Sequence, residues 1–106
     1  MAVIAIDFDN TLVNGEEALP FAREAINILR EDGHKVIIHS ANDVPWIAKV
    51  LREHRIMYDK IWDNPGKPLA DLYIDDRGFD FKGSWTEALP EILGHRHVKD
   101  KDNRKW

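Results

Sequence analysis

Residues 3–6, with the five residues that follow them, constrain the fold of this chain most. Val3-Ile4-Ala5-Ile6 is a short apolar run rich in β-branched residues, which is typical of a strand buried on both faces of a parallel sheet. Asp7-Phe8-Asp9-Asn10-Thr11 comes directly after it. In an open α/β fold, ligands bind outside the carboxyl ends of the strands. Two carboxylates spaced i, i+2 on an extended segment point the same way, and this crowding costs free energy unless a cation or a reaction uses it.

The same five residues are also typical of a simple turn, because Asp and Asn readily end strands. The rest of the chain decides between the two interpretations. We predict further strands at residues 35–39, 58–62 and 71–74, with a short edge strand at 79–81. We predict helices from about Pro20 to Gly33, from Asn42 or Asp43 through Leu51, and within Ser84–Leu93, where Pro90 conflicts with a full helix.

Strands that alternate with helices predict right-handed crossovers and a mostly parallel sheet. The expected fold is a Rossmann-like three-layer α/β/α sandwich with about five short strands. At 106 residues the chain is predicted to form one domain, with residues 1–94 as the folded core and residues 95–106 as a charged tail.

Composition excludes several classes of function. The chain has no cysteine, which excludes disulfides, Cys-ligated zinc and a thiol nucleophile. No apolar stretch reaches the length of a membrane span and no signal-peptide pattern opens the sequence, so we expect no membrane partner and a cytoplasmic location. The net charge of -4 is not that of a general nucleic-acid binder.

Three later positions could join the first acidic pair. Ser40 follows the predicted strand 35–39, Lys67 lies in a Gly-Lys-Pro turn, and Asp75-Asp76 end the strand 71–74. Taken singly, each has an ordinary role as a cap, a solvated charge or a strand end. Taken together at one sheet edge, they gather four carboxylates, a hydroxyl and an ammonium. Mg²⁺, which prefers oxygen ligands, would reduce the repulsion among the carboxylates. Together, Mg²⁺ and the lysine would neutralise an incoming phosphate.

In this order and on these elements, the residues resemble the motifs of the haloacid dehalogenase superfamily of phosphohydrolases. Residues 7–12 match its first motif (DxDxT), Ser40 its second, Lys67 its third and Asp75-Asp76 its fourth. The resemblance extends from residue 2 to about residue 93, so the core of residues 1–94 would be catalytic. The run 74–77 also looks like the fourth motif of polynucleotide 3′-phosphatases in this superfamily.

The resemblance implies a Mg²⁺-dependent phosphomonoester hydrolase that acts through a phosphoaspartate. Asp7 would be the nucleophile, and Asp9 the general acid and then the general base. An aspartate at this second acidic position favours phosphatase over dehalogenase chemistry, since phosphate transfer needs a proton donor there. The implied metal ligands are Asp7, the main-chain carbonyl of Asp9, Asp75 and Asp76, and the implied phosphate-binding residues are Thr11, Ser40 and Lys67.

The short spacings between the motifs leave no room for the cap domain that many family members carry. Residues 14–17 could form a small mobile flap instead. An open site implies a macromolecular substrate, a second copy of the chain that covers the site, or slow and unselective hydrolysis. The phosphorylated substrate could be a metabolite, a nucleotide or a nucleic-acid end.

Two alternatives belong to other classes. A receiver domain also combines acidic residues, a hydroxyl and a lysine, but there the adjacent acidic pair comes first and the lysine last, the reverse of the order here. A non-catalytic phosphate- or nucleotide-binding module on the same fold is the second alternative. His39 is predicted to point away from Ser40 and to serve packing or a structural hydrogen bond, and Arg77 to pair with a neighbouring acid.

Overall fold

A computed structural model describes residues 1–66, 68–75, 81–95 and 98 of the chain. In chain order its elements are β1 (Val3–Asp7), β2 (Val13–Asn14), β3 (Glu17–Ala18), α1 (Ala22–Glu31), β4 (Lys35–His39), α2 (Val44–Glu53), β5 (Lys60–Trp62), β6 (Leu72–Ile74) and α3 (Trp85–Leu93). Four strands form one parallel sheet in the order β5-β4-β1-β6, and β2 and β3 form a separate antiparallel hairpin. The predicted Rossmann-like α/β fold is confirmed.

The main core lies on the face of the sheet that carries Ile4 and Ile6. Alternate residues of the three strands β1, β4 and β6 are buried there, namely Ile4, Ile6, Val36, Ile38, Leu72 and Ile74. They cluster with buried apolar side chains from all three helices. Because side chains alternate along a strand, Val3, Ile37 and Tyr73 belong to the opposite face, where they are only partly buried.

Two aspartates fix the register of neighbouring strands at the amino-terminal edge of the sheet. The N–H of Asp59 donates to the carbonyl of Val36 at 2.9 Å, and the Asp59 carboxylate accepts from the N–H of Val36 at 2.8 Å. Asp71 forms the same pair of bonds with Val3, both at 2.8 Å. Each aspartate therefore bonds to both the N–H and the carbonyl of one residue near the start of the adjacent strand.

His34 closes the third junction, between β1 and β4. Its imidazole is buried, Nδ1 accepts from the N–H of Ala2 at 3.0 Å, and Nε2 donates to the Asp32 carboxylate at 2.9 Å. The N–H of Lys35 donates to the carbonyl of Ala2 at 2.9 Å. A slip of one residue would move every side chain of a strand to the other face, so these bonds also decide which side chains meet at the far edge.

Two boundaries differ from the sequence prediction. Helix α1 begins two residues after Pro20, because Phe21 adopts a left-handed conformation with φ of 67°. The strand predicted at 58–62 begins later, because both the backbone N–H and the carboxylate of Asp59 bond to β4 rather than extending the ladder.

Side-chain caps fix the start of the other two helices. The Asp43 carboxylate accepts from the N–H of Trp46 at 3.2 Å, so Asp43 rather than Asn42 caps α2. The Ser84 hydroxyl accepts from the N–H of Glu87 at 3.4 Å. Helix α3 continues through Pro90, whose missing N–H is offset by the buried apolar face of this helix.

The residues predicted as a flap form the tip of the β2–β3 hairpin, with Gly15 and Glu16 in its turn, and Nε2 of His54 donates to the carbonyl of Glu16. Of the predicted edge strand at 79–81, only Phe81 is described, and it lies outside any strand. The charged tail at 95–106 lies outside the described residues apart from His95 and Val98. None of the helices that the structure describes is long and apolar enough to cross a membrane.

We expect Asp59→Ala to lower the free energy of unfolding at neutral pH by about 1–2 kcal/mol, because the N–H of Val36 loses its acceptor. Burial raises the pKa of Asp59, but hydrogen bonds from Arg30 and Val36 outweigh it and hold this pKa below its ordinary value. The stabilisation is therefore present above the unfolded-state pKa of about 4 and is lost as the pH falls through the lower folded-state pKa.

Urea unfolding at about pH 7 and about pH 3 checks this expectation, since the difference between wild type and variant should shrink at the lower pH. Asp63→Ala is the matched control, because Asp63 is exposed in the turn after β5. A difference that stays the same at both pH values would contradict the assigned role of the carboxylate.

Candidate active site

Side chains from four strands meet at the carboxyl edge of the sheet. Asp7 is paired in register with His39, and His39 with Trp62. These three side chains therefore lie in one row on one face of β1, β4 and β5. Asp75 directly follows β6, the strand on the other side of β1, and is only 5% exposed. The edge brings two buried or half-buried carboxylates and an imidazole together.

The loop after β1 turns back tightly and carries Asp9. Phe8 is fully buried and anchors the start of the loop in the core. Asn10 adopts φ of 62°, and its N–H donates to the carbonyl of Val13 at 2.7 Å. Asparagine tolerates this left-handed conformation better than most residues. The turn holds Asp9 beside the end of β1.

Helix α3 holds the same loop from another side. Trp85 is fully buried, and its indole Nε1 donates to the carbonyl of Thr11 at 2.7 Å. Phe81 packs on the Trp85 ring with 4.8 Å between the ring centroids. The Thr11 side chain is itself buried. The geometry of the first motif therefore depends on the last helix of the described chain.

The carboxylate of Asp9 is bonded to the loop between β4 and α2. The Ser40 hydroxyl donates to its Oδ2 at 3.0 Å. Nδ2 of Asn42 donates to both carboxylate oxygens, at 2.9 Å and 2.8 Å. Of these contacts, sequence reasoning anticipated that Ser40 lies near the first motif, but it considered Asn42 only as a possible cap of α2 and gave it no place in the site.

Two cavities adjoin Asp7. The smaller one, about 260 Å³, is lined by Asp7, Asp9, Asn10, Thr11, Asp75 and Phe81, and we call it the acidic cavity. The larger one, about 500 Å³, is lined by Asp7, His39, Ser40, Asn42, Trp62 and Gly66 with their neighbours, and we call it the polar cavity. Asp7 belongs to both, so a group bound in either cavity would lie next to its carboxylate.

A further cavity of about 340 Å³ lies at the opposite, amino-terminal edge of the sheet and is lined by Arg30, His34 and Asp59 among others. Two of its charged groups are already paired, since Arg30 bonds to Asp59 at 3.2 Å and Asp59 also accepts from the N–H of Val36. This cavity therefore offers structural contacts rather than reactive groups.

The electrostatics of the edge centre on Asp7. Burial raises the pKa of Asp7 above its ordinary value, and the negative charges of Asp9 and Asp75 raise it further. The nearby His39 and a hydrogen bond from the N–H of Phe8 lower the pKa but do not offset the burial. The ionised form of Asp7 is therefore costly in free energy in the protein alone, and a cation beside it would reduce that cost.

His39 lies closer to the acidic residues than the sequence interpretation indicated. Its side chain is 15% exposed, it lines the polar cavity, and its Nε2 is 4.0 Å from Oδ2 of Asp75. The signal that could have found it is its position: His39 and Asp7 both end their strands, and adjacent parallel strands place such residues side by side.

The described residues that line the acidic cavity offer oxygen atoms as metal ligands, which fits a small hard cation such as Mg²⁺ rather than zinc. Within the described residues, no group of three or more His, Cys, Asp or Glu is arranged to hold a metal ion. Mg²⁺ does not need such a cage, because one or two carboxylates with waters and substrate oxygens suffice. Asp7 and Asp75, with the carbonyl of Asp9, fit that requirement.

Lys67, Asp76 and Arg77 lie outside the described residues. The residues that flank Lys67 are nevertheless held by aromatic side chains. The indole Nε1 of Trp62 donates to the carbonyl of Gly66 at 2.9 Å. The hydroxyl of Tyr73 donates to the carbonyl of Pro68 at 2.6 Å. The loop is therefore tied on both sides to strands that end at this edge.

Comparison with known proteins agrees with the fold. The family model of haloacid dehalogenase-like hydrolases matches residues 4–62, more than half of the chain. The chain therefore belongs to the haloacid dehalogenase-like hydrolase family.

A solved structure of a conserved protein from Bacteroides thetaiotaomicron is similar to this one, with a TM-score of 0.69 and 27% sequence identity. The alignment covers 88% of this chain and 90% of that one. A search of curated proteins gave no match.

We expect Asp7→Asn to raise the melting temperature of the metal-free protein at neutral pH. Because the pKa of Asp7 is raised on folding, the folded protein binds this proton more tightly than the unfolded chain does. Wild-type stability therefore falls as the pH rises from about 4 through the folded-state pKa, and an amide avoids this cost.

Thermal unfolding in EDTA from about pH 4 to about pH 8 is the measurement, and the difference in melting temperature should grow with pH. Asp63→Asn, at an exposed position, is the control and should show no such growth. An Asp7→Asn variant that melts below wild type at neutral pH would refute this account of the charge at Asp7.

Proposed function

We propose that this protein is a Mg²⁺-dependent phosphomonoester hydrolase that acts through an aspartyl-phosphate intermediate. The observation that carries the proposal is the position of Asp7 between two unlike cavities. The acidic cavity suits a cation, while the polar cavity offers the hydroxyl of Ser40 to an anion. A nucleophile that attacks a phosphate needs both environments beside it.

In the first step, an Oδ atom of Asp7 attacks the phosphorus atom as the bond to the leaving-group oxygen breaks. Asp9, protonated at this stage, gives its proton to that oxygen, so an alcohol departs and the phosphoryl group stays on Asp7. In the second step, Asp9 takes a proton from water, and the oxygen of that water attacks phosphorus. Asp7 is released as a carboxylate together with inorganic phosphate.

Asp7, Asp75 and the carbonyl of Asp9 would hold Mg²⁺, with Asp76 as a further ligand by its match to the fourth motif. The ion would supply positive charge that offsets the repulsion between Asp7 and the phosphate. The raised pKa of Asp7 supports this assignment, since burial and the charges of Asp9 and Asp75 make the ionised form of Asp7 costly in the protein alone.

The roles of the remaining residues follow from their resemblance to the family's motifs. Ser40 and Lys67 would bind phosphoryl oxygens, and the bonds that hold Gly66 and Pro68 to strands ending at this edge support the role of Lys67. Thr11 lines the acidic cavity and is buried, which supports its assignment as a residue that contacts the phosphate from the loop beside Asp7. Asp9 supports phosphate rather than halide chemistry, because a halide leaves without a proton.

The substrate is a phosphate monoester of a metabolite, a nucleotide or a nucleic-acid end, acted on in the cytoplasm. Between β1 and α1 the structure has only the short β2–β3 hairpin, which supports a site open to large substrates or covered by a second copy of the chain.

We expect the wild-type protein to hydrolyse p-nitrophenyl phosphate in the presence of Mg²⁺, and Asp7→Asn to lower kcat at least about 10⁴-fold, since an amide cannot serve as the anionic nucleophile. Steady-state assays with a matched Asp63→Asn variant provide the test. Tight binding of phosphate with no turnover by wild-type protein would support the non-catalytic binding module instead.

Mg²⁺ should raise the melting temperature of the wild-type protein, since a ligand at 100 times its Kd stabilises the folded state by about 2.7 kcal/mol. Asp75→Asn should shift the Mg²⁺ titration to higher concentration and should raise the melting temperature without metal, because a buried charge is removed. Identical Mg²⁺ titrations for wild type and Asp75→Asn, followed by thermal unfolding, would exclude Asp75 as a ligand.

A further inference from the structure

Asn42 occupies a fixed position between β4 and α2. It immediately precedes Asp43, the residue that caps α2. Its own N–H donates to the Ser40 hydroxyl at 3.0 Å, which closes a short turn. From this turn the side-chain amide reaches Asp9 and contacts both carboxylate oxygens. The backbone of Asn42 is therefore held between the end of β4 and the cap of α2, while its side chain lines the polar cavity.

The two donors to Asp9 differ in what they can do during the proposed reaction. A serine hydroxyl carries one proton, and in the free protein Ser40 gives it to Asp9. If Ser40 donates to a phosphoryl oxygen instead, it can no longer donate to Asp9. Asn42 has no such conflict, because its amide is engaged with Asp9 alone among the contacts described for it.

We infer that Asn42 is the positioning residue that holds the carboxyl group of Asp9 towards the leaving group after Ser40 has turned to the phosphate. The inference rests on the proposed function and extends it to a residue outside the four motifs. Asn42 acts through Asp9: its loss leaves the nucleophile and the cation site unchanged but lets the acid rotate. A misplacement of about 1 Å at a reacting group can cost about 10²-fold in rate.

If the role of Asn42 were purely structural, its removal would lower the stability of the protein. Asn42 is exposed, and a hydrogen bond at an exposed position contributes little to folding. Asn42→Ala should therefore leave the melting temperature close to that of wild type. What should change is the dependence of the rate on the leaving group, because only a poor leaving group needs its proton from Asp9.

The experiment compares two substrates, p-nitrophenyl phosphate and β-glycerophosphate, with saturating Mg²⁺. For Asn42→Ala, kcat/KM should fall about 10²-fold with the alkyl ester. The loss should be under about tenfold with the aryl ester, whose leaving group departs without protonation. Asn42→Asp, which keeps the shape but removes the donor and adds a repelling charge, should lose at least as much. Asn27→Ala is the matched control, since Asn27 lies on α1 at the opposite edge of the sheet.

Equal losses with the two esters, or no loss with either, would overturn the inference while leaving the hydrolase proposal intact. Wild-type protein that turns over neither ester would refute the proposed function itself. A readout independent of turnover is the nitrogen-15 NMR signal of the Asn42 side-chain amide. Asp9→Ala should shift that signal and not the Asn27 signal, and an unshifted Asn42 signal would show that the contact does not exist in solution.

Discussion

The register of the four parallel strands is the constraint on which the site depends. It is fixed at the edge farthest from the candidate active site, where Asp59 and Asp71 bracket the first residues of β4 and β1. A strand that slipped by one residue would turn its last side chain to the other face of the sheet. Asp7 and His39 would then no longer share a row. Polar contacts that have no part in any reaction therefore determine which reactive groups meet.

The carboxyl edge combines features that oppose folding with features that suit catalysis. Asp7 is half-buried near two other carboxylates, and burial is the main reason its pKa is raised. The packed core around Ile4 and Ile6 supplies the stability that tolerates this cost.

Local sequence patterns predicted the features that depend on local physics. The apolar run before Asp7 gave the central strand, and the polar residues before α2 and α3 gave their caps. The pattern did not give the contact of Asn42 with Asp9 or the neighbours of His39, because both arise where side chains from separate parts of the chain meet. The start of α1 was also missed, since the left-handed conformation of Phe21 has no signature in a bulky aromatic residue. The contacts of Asn42 and His39 depend on how distant parts of the chain are aligned, which local propensity does not encode.

The bond from the Trp85 indole to the carbonyl of Thr11 has a practical consequence for spectroscopy. Trp85 is fully buried, whereas Trp46 and Trp62 are partly exposed, so among these three tryptophans Trp85 should emit at the shortest wavelength. Because its donor is engaged by the loop that carries the first motif, any ligand that shifts this loop changes the surroundings of the indole directly. The protein thus contains its own optical reporter of events at the end of β1, without a label.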